Sequence, residues 1–77
     1  MSHTPNELPE MFPDKIEKIH GLKQENGEFL RLHDEYHEIN REIHRGETDV
    51  EPMSDQHLEE LRKNRLAMLD RIRAILA

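Results

Sequence analysis

The last third of the chain reads SDQHLEELRKNRLAMLDRIRAIL over residues 54–76, and this stretch decides the fold. Its apolar residues recur mainly at steps of three and four, which is the spacing of a helix face and not the alternation of a strand. Ser54 is a favourable N-cap, and Asp55 suits the positive end of a helix dipole. We therefore predict a helix over residues 55–76, about 33 Å long at 1.5 Å per residue.

The apolar stripe of this helix widens toward its C-terminal end. One neighbouring helix cannot cover so wide a face, so a second surface must pack there, either the short helix predicted upstream or another copy of the chain. We predict that this widened face is an interaction surface, formed by Leu66, Leu69, Ile72, Ile75 and Leu76.

A second helical pattern runs from Ile16 to Ile43. It thins at Asn26-Gly27, where Gly is unfavourable inside a helix by up to about 1 kcal/mol and Asn is a good N-cap. We predict two helices, over residues 13–25 and 27–45, with a break between them. The alternative is one continuous helix that tolerates Gly27.

Residues 46–54 form the predicted loop between the long helices. Gly46 is placed to end the preceding helix in a left-handed conformation, and Met53 is spaced to pack on Leu58 as a hydrophobic staple. A loop this short makes the long helices neighbours. The predicted fold class is all-α, an antiparallel two-helix hairpin (coiled-coil-like) with a short additional N-terminal helix or a kinked first helix. Tyr36 is expected to lay its ring in the seam and keep its hydroxyl in water.

The N-terminal residues carry two prolines and few apolar side chains. We predict a disordered tail over residues 1–11, followed by a helical hairpin domain over residues 12–77. These first residues lack the basic start and apolar core of a secretory signal, and no segment is apolar enough to span a bilayer. We expect a cytoplasmic protein that does not enter membranes.

Composition excludes several classes of site. The 77 residues include no cysteine, which rules out disulfides, thiolate zinc sites and cysteine nucleophiles. The net charge of −6 argues against non-specific binding to nucleic acid. There is no glycine-rich phosphate loop, and Ser54 is explained as a helix cap. We expect no enzyme activity and no cofactor.

His33 and His37 are the candidate metal ligands, because residues four apart share one helix face. No third ligand stands at a spacing that completes a site. We therefore interpret them as histidines on the polar flank of a helix and predict no metal site.

The apolar spacing and a few polar positions resemble one known family. The residues that carry the resemblance are Met11-Phe12-Pro13, Ile19, Leu22-Lys23, Asn26, Phe29, Leu32, Ile39, Arg65-Leu66, Asp70, Ile72 and Ile75-Leu76. Over about residues 11–76 they look like the YdcH-like family of small bacterial proteins of unknown function. The resemblance implies a helical hairpin and supplies no catalytic residues. The chain departs from the family pattern at Tyr36, where His is common, and at Leu69, where Lys is common.

Together these observations favour an interaction module that self-associates, as a homo-oligomer, or docks on a helix of another protein. The alternative is a metal-responsive or nucleic-acid-associated regulator. It would use His33 and His37, or the basic face over residues 62–73.

Overall fold

Helices account for nearly all of the chain in a computed structural model, which describes residues 4–48 and 52–77. The elements, in chain order, are α1 (Leu8–Met11), a 3₁₀ turn (Pro13–Lys15), α2 (Ile16–Glu25), α3 (Gly27–Glu47) and α4 (Asp55–Leu76). No strand occurs within the described ranges, and the all-α class is confirmed. None of these helices is long and apolar enough to cross a bilayer.

The break between α2 and α3 lies at Asn26, as predicted. Asn26 has an extended backbone, and its side-chain oxygen accepts hydrogen bonds from the backbone N–H groups of Glu28 (3.0 Å) and Phe29 (3.1 Å). These bonds satisfy two of the N–H groups that a helix start leaves without intrahelical partners. The chain therefore gains a cap at the position where Gly27 makes a continuous helix least favourable.

The start of α4 also follows the prediction. The Ser54 hydroxyl accepts from the backbone N–H of His57 (3.1 Å), and Met53 packs against the cluster that contains Leu58. Ser54 is thus a true N-cap, and Met53 holds the entry of the chain into the helix.

The predicted end of α3 at Gly46 is wrong. Gly46 is helical and has no positive φ, and α3 continues to Glu47. Thr48 closes the helix instead, because its backbone N–H (3.0 Å) and its hydroxyl (2.8 Å) both donate to the carbonyl of His44. Gly46 allows the Met53 side chain to approach α3 closely, since a Cβ at position 46 would lie 2.7 Å from the Met53 sulfur. Residues 49–51 of the predicted loop lie outside the described residues.

Two apolar clusters hold α3 and α4 together. The smaller one joins Ile43 of α3 to Leu58 and Leu61 of α4. The larger one extends from both long helices to the N-terminal elements, and its buried members are Leu8, Ile19, Phe29, Leu32, Tyr36, Met68, Leu69, Ile72 and Leu76. Ile39 packs against both clusters and so joins them into one continuous core.

The wide face of α4 is partly covered within the chain. Ile19 of α2 belongs to the larger cluster, and Phe12 and Leu22 pack against it. The Lys18 ammonium donates to the carbonyl of Leu76 (3.0 Å), where α4 has free carbonyl groups. The short helix, which was one of the two partner surfaces considered, thus covers part of this face.

Ile72 and Ile75 of α4 give a matched test of this core. Ile72 is fully buried, whereas Ile75 is 38% exposed. We expect Ile72→Ala to lower the free energy of unfolding by about 2–5 kcal/mol, because it leaves a cavity that the helices cannot close. Ile75→Ala should lower it by about 1 kcal/mol or less. Urea unfolding followed by circular dichroism measures both values, and equal losses would contradict this assignment of the core.

Candidate functional site

Residues 4–12, called here the N-terminal segment, are held against α3 by two buried polar side chains. The Tyr36 hydroxyl donates to the carbonyl of Asn6 (2.7 Å), and the Asn40 side-chain amide donates to the carbonyl of Pro5 (2.7 Å). Tyr36 is fully buried and Asn40 is 1% exposed, so both donors depend on the segment for their partners. The predicted disordered tail is therefore wrong for residues 4–11, and the Tyr36 hydroxyl is not in water.

Leu8 is the apolar anchor of the segment. Its side chain is completely buried and joins the cluster that contains Tyr36 and Leu69. Burial of a leucine is worth about 1.5–3 kcal/mol, and each of the two hydrogen bonds contributes about 0.5–1.5 kcal/mol. Leu8 and the pair of hydrogen bonds thus hold the segment with comparable free energies, and the hydrogen bonds also align it.

Charge complementarity adds a third contact. The Glu7 carboxylate meets the His37 Nδ1 and lies 3.9 Å from the Arg41 Nε. The rings of His33 and His37 stack at a tilt with centroids 4.3 Å apart, and the His33 Nδ1 lies 3.0 Å from an Asp34 carboxylate oxygen. Two successive turns of α3 therefore present ring and guanidinium nitrogens, from His37 and Arg41, to the Glu7 carboxylate.

Asn40 also connects the segment to α4. While its amide nitrogen donates to Pro5, its oxygen accepts from the Arg65 guanidinium (3.0 Å). Both ends of a nearly inaccessible amide are thereby satisfied, as burial requires. Burial raises the pKa of the Tyr36 hydroxyl; the nearby Arg65 opposes this effect and Glu7 reinforces it. The phenol stays protonated and remains a donor to the segment.

His37 is 9% exposed, so the interpretation of both histidines as residues of a polar flank is wrong for His37. Burial lowers the pKa of His37 below its usual value of 6.5; the Glu7 carboxylate opposes this effect, and His33 and Arg41 reinforce it. The His37 Nε2 is buried and has no hydrogen-bond partner among the described residues. A second ring proton would have no acceptor there, which adds to the effect of burial in favouring the neutral ring.

Beside the segment lies an open groove of about 730 Å³, lined by Glu7, Pro9 and side chains of α3 between His33 and Arg45. Within residues 4–48 and 52–77, no group of three or more His, Asp or Glu side chains is arranged to hold a metal ion. The groove therefore offers a mixed basic and acidic surface.

The predicted interaction surface on α4 is divided by the fold. Leu69, Ile72 and Leu76 are buried inside the chain, so they cannot meet a partner in this state. Leu66 is 58% exposed and Ile75 is 38% exposed. Leu66 borders a smaller groove of about 350 Å³, which also includes Met11 and Asn6 from the N-terminal segment.

Sequence reasoning missed Leu8, Glu7 and Asn40. A signal was present, because Leu8, Met11 and Phe12 follow the spacing of one helical turn, and Pro9 stands in the first turn of α1, where proline is favoured. Asn40 gave no signal of this kind, since a polar residue on a helix is most often solvated.

A family model described as Protein of unknown function (DUF465) matches residues 29–76, more than half of the chain. The chain belongs to this family. YdcH-like proteins are members of it, so the resemblance noted in the sequence is confirmed. No curated protein and no solved structure matches the chain.

The DUF465 match divides the candidate site. It covers α4 and nearly all of α3, including Tyr36, His37, Asn40 and Arg41, which contact the segment. The N-terminal segment, the 3₁₀ turn and α2 lie outside the match. The α3 side chains that contact the segment are thus part of the DUF465 region, and the segment itself is not.

The lowered pKa of His37 predicts a pH dependence of stability. Below about pH 6.5 the unfolded chain binds more protons at this ring than the folded chain does, so the free energy of unfolding falls as the pH drops. We expect His37→Gln to remove part of the fall between about pH 7.5 and about pH 5.5. Urea unfolding at several pH values measures it.

His20→Gln is the matched control, because His20 is exposed on α2. Between about pH 7.5 and about pH 5.5, the free energy of unfolding of His20→Gln should fall as much as that of wild type, and more than that of His37→Gln. If wild type and His37→Gln lose stability in parallel over this range, the buried ring does not control the effect.

Proposed function

We propose that this protein is an antiparallel helical hairpin that works as a non-enzymatic interaction module, and that its partner is a second copy of the chain. The observation that carries the proposal is Leu66, a large apolar side chain left 58% exposed in the middle of α4. The surface around it pairs opposite charges under twofold symmetry.

The order of contacts along the two long helices supports the hairpin. Ile43, near the end of α3, clusters with Leu58 and Leu61, near the start of α4. Phe29, near the start of α3, clusters with Leu76 at the end of α4. Contacts that run in opposite order along two helices are those of an antiparallel pair.

A disulfide tests the hairpin directly, because the chain has no other cysteine. Ile39 packs against the cluster that contains Leu61. We expect the double variant Ile39→Cys with Leu61→Cys to oxidise within one chain, because both positions pack in one cluster between α3 and α4 and a disulfide requires such proximity. Non-reducing electrophoresis and mass spectrometry should find the 9.2 kDa monomer.

The control pairs Ile39→Cys with Ile75→Cys, which lies near the far end of α4. It should not close within a chain. If the first pair links only between chains while the control closes within one, the hairpin is refuted.

The proposed contact surface is a single stripe on α4. At 100° per residue, the residues four and seven positions from Leu66 fall within about 40° of it on the helix surface. All members of the stripe are exposed; they are Glu59, Arg62, Leu66, Asp70 and Arg73. The stripe has an apolar centre and charged ends, which is the anatomy of a small interface.

Twofold symmetry makes this stripe complementary to itself. If two α4 helices cross antiparallel at Leu66, each residue below 66 meets the one equally far above it on the partner. Arg62 then faces the partner's Asp70, and Glu59 faces the partner's Arg73. Every charge in the stripe meets its opposite, whereas a parallel arrangement would place like charges together. This pairing favours a second copy over an unrelated helix.

Within one chain, Arg62 pairs with Glu47 (2.8 Å) and Arg73 with Asp70 (3.1 Å). These exposed pairs are worth about 0–1 kcal/mol each, so exchanging them for pairs across an interface is nearly neutral. The favourable term is the removal of Leu66 and the neighbouring Met11 from water.

Leu66→Glu tests the interface. We expect this change to weaken self-association at least roughly tenfold, because it places two carboxylates at the twofold axis. Sedimentation equilibrium over a wide range of protein concentrations measures the change. Circular dichroism should be unaffected, since Leu66 lies outside the core.

The matched control is Ala67→Glu, which adds the same charge to an exposed neighbour about 100° away on the helix. It should leave self-association close to wild type. A wild-type chain that stays monomeric at millimolar concentration, or equal effects of both variants, would refute the interface.

The alternative, a metal-responsive or nucleic-acid-associated regulator, has weaker support. His37 is already engaged by Glu7, while Arg62 and Arg73 have carboxylate partners. This alternative stays a prediction, and we do not favour it.

A further inference from the structure

The N-terminal segment contacts the rest of the molecule as a bound peptide would. Two backbone carbonyls accept hydrogen bonds from Tyr36 and Asn40, Leu8 fills an apolar socket, and Glu7 meets His37. Backbone acceptors, one buried anchor and one carboxylate contact are elements of short-peptide recognition. None of these contacts requires that the peptide belong to the same chain.

We propose that the surface of α3 that contacts the segment, formed by Tyr36, His37, Asn40 and Arg41 and called here the docking groove, binds residues 4–11 of a second copy in place of its own. Two chains would thus exchange their N-terminal segments. The docking groove is distinct from the open groove beside the segment, which Glu7 and Pro9 help to line. The occupant is defined by its chemistry: two acceptor carbonyls, a glutamate and a leucine in the order Pro5-Asn6-Glu7-Leu8. This contact is separate from the α4 stripe and goes beyond the function proposed above.

The chain is built so that the segment can leave as a unit. Its helix, α1, has only four residues, too few to be stable without tertiary contacts. Phe12, which joins α1 to the 3₁₀ turn, is non-helical, and Pro13 follows it. The backbone therefore changes direction at one residue, and Phe12, which packs against the larger cluster, marks the boundary at which α1 would separate from the rest of the chain.

One further feature belongs to the docked state. Asn6 is the one non-glycine residue with positive φ in the described ranges (62°), and its carbonyl is the acceptor for Tyr36. Asparagine adopts this left-handed conformation more readily than most residues do. The groove thus recognises a specific backbone shape, which distinguishes this segment from a generic extended peptide.

Within one chain the tether favours the chain's own segment. A short linker holds a tethered ligand at an effective concentration of roughly millimolar, so exchange in wild type becomes prominent only when the protein approaches that concentration. A test must therefore remove binding within each chain while keeping one good groove and one good segment in the mixture.

Two full-length variants meet this requirement. Leu8→Asp disables the segment and leaves the groove intact. The double variant Asn40→Ala with Arg41→Glu disables the groove and leaves the segment intact, because it removes a donor and reverses a charge beside Glu7. Both chains also carry Leu66→Glu, so that association through the α4 stripe cannot contribute.

The readout is the amide spectrum of ¹⁵N-labelled Leu8→Asp chain, titrated with unlabelled groove variant to roughly 1 mM. We expect saturable shifts at residues 36–41. The control titrant is an unlabelled chain that carries Leu8→Asp together with Asn40→Ala and Arg41→Glu. It should bind at least tenfold more weakly. Absence of saturable shifts, or equal binding of both titrants, overturns the proposal.

A peptide of residues 4–12, TPNELPEMF with blocked ends, keeps the test decisive if a variant fails to fold. It is titrated onto the wild-type full-length chain, where it competes with the tethered segment. We expect shifts at residues 36–41 near millimolar peptide, and at least tenfold weaker binding of the same peptide with Leu8→Asp. If the two peptides act alike, or neither acts, the groove does not recognise the segment in trans.

Discussion

The structure depends on covering the wide apolar face of α4. Ile72 and Leu76 are almost fully buried, yet α3 can contact only one side of the helix that carries them. A chain of 77 residues without cysteine has neither a large core nor disulfides to compensate for an exposed face. The remaining cover comes from the N-terminal elements, through Leu8 and Ile19. The need to bury the apolar face of α4 thus determines where the first quarter of the chain lies.

This arrangement buries polar side chains of α3, which then need hydrogen-bond partners. Once Leu8 is docked, Tyr36 and Asn40 lose contact with water, and each must find a partner inside the protein. The carbonyls of Asn6 and Pro5 supply those partners, and Glu7 arrives beside His37. The candidate site is therefore a consequence of core packing, and its specificity for one backbone shape comes from polar groups that burial forces into pairs.

The local parts of this fold were predictable from the sequence. Ser54 and Asn26 accept hydrogen bonds from N–H groups two or three residues away, so the residues next to them in the sequence are enough to predict each helix cap. The site was not predictable in this way, because the Tyr36–Asn6 and Asn40–Pro5 bonds join residues 30 and 35 positions apart. The predicted end of α3 was wrong for a related reason. Gly46 is explained by the close approach of the Met53 side chain, which comes after the loop, and not by the geometry of a helix end.

The two proposed surfaces are physically connected. Asn6 and Met11 of the N-terminal segment form one wall of the groove beside Leu66, and α4 forms the other. If a segment leaves without being replaced, that wall disappears and the surroundings of Leu66 change. If a second copy's segment takes its place, the same wall is rebuilt by the other chain. Release of a segment and contact through α4 must therefore influence each other's free energies, and by linkage each must favour or oppose the other to the same extent, whereas a completed exchange restores the original surroundings of Leu66.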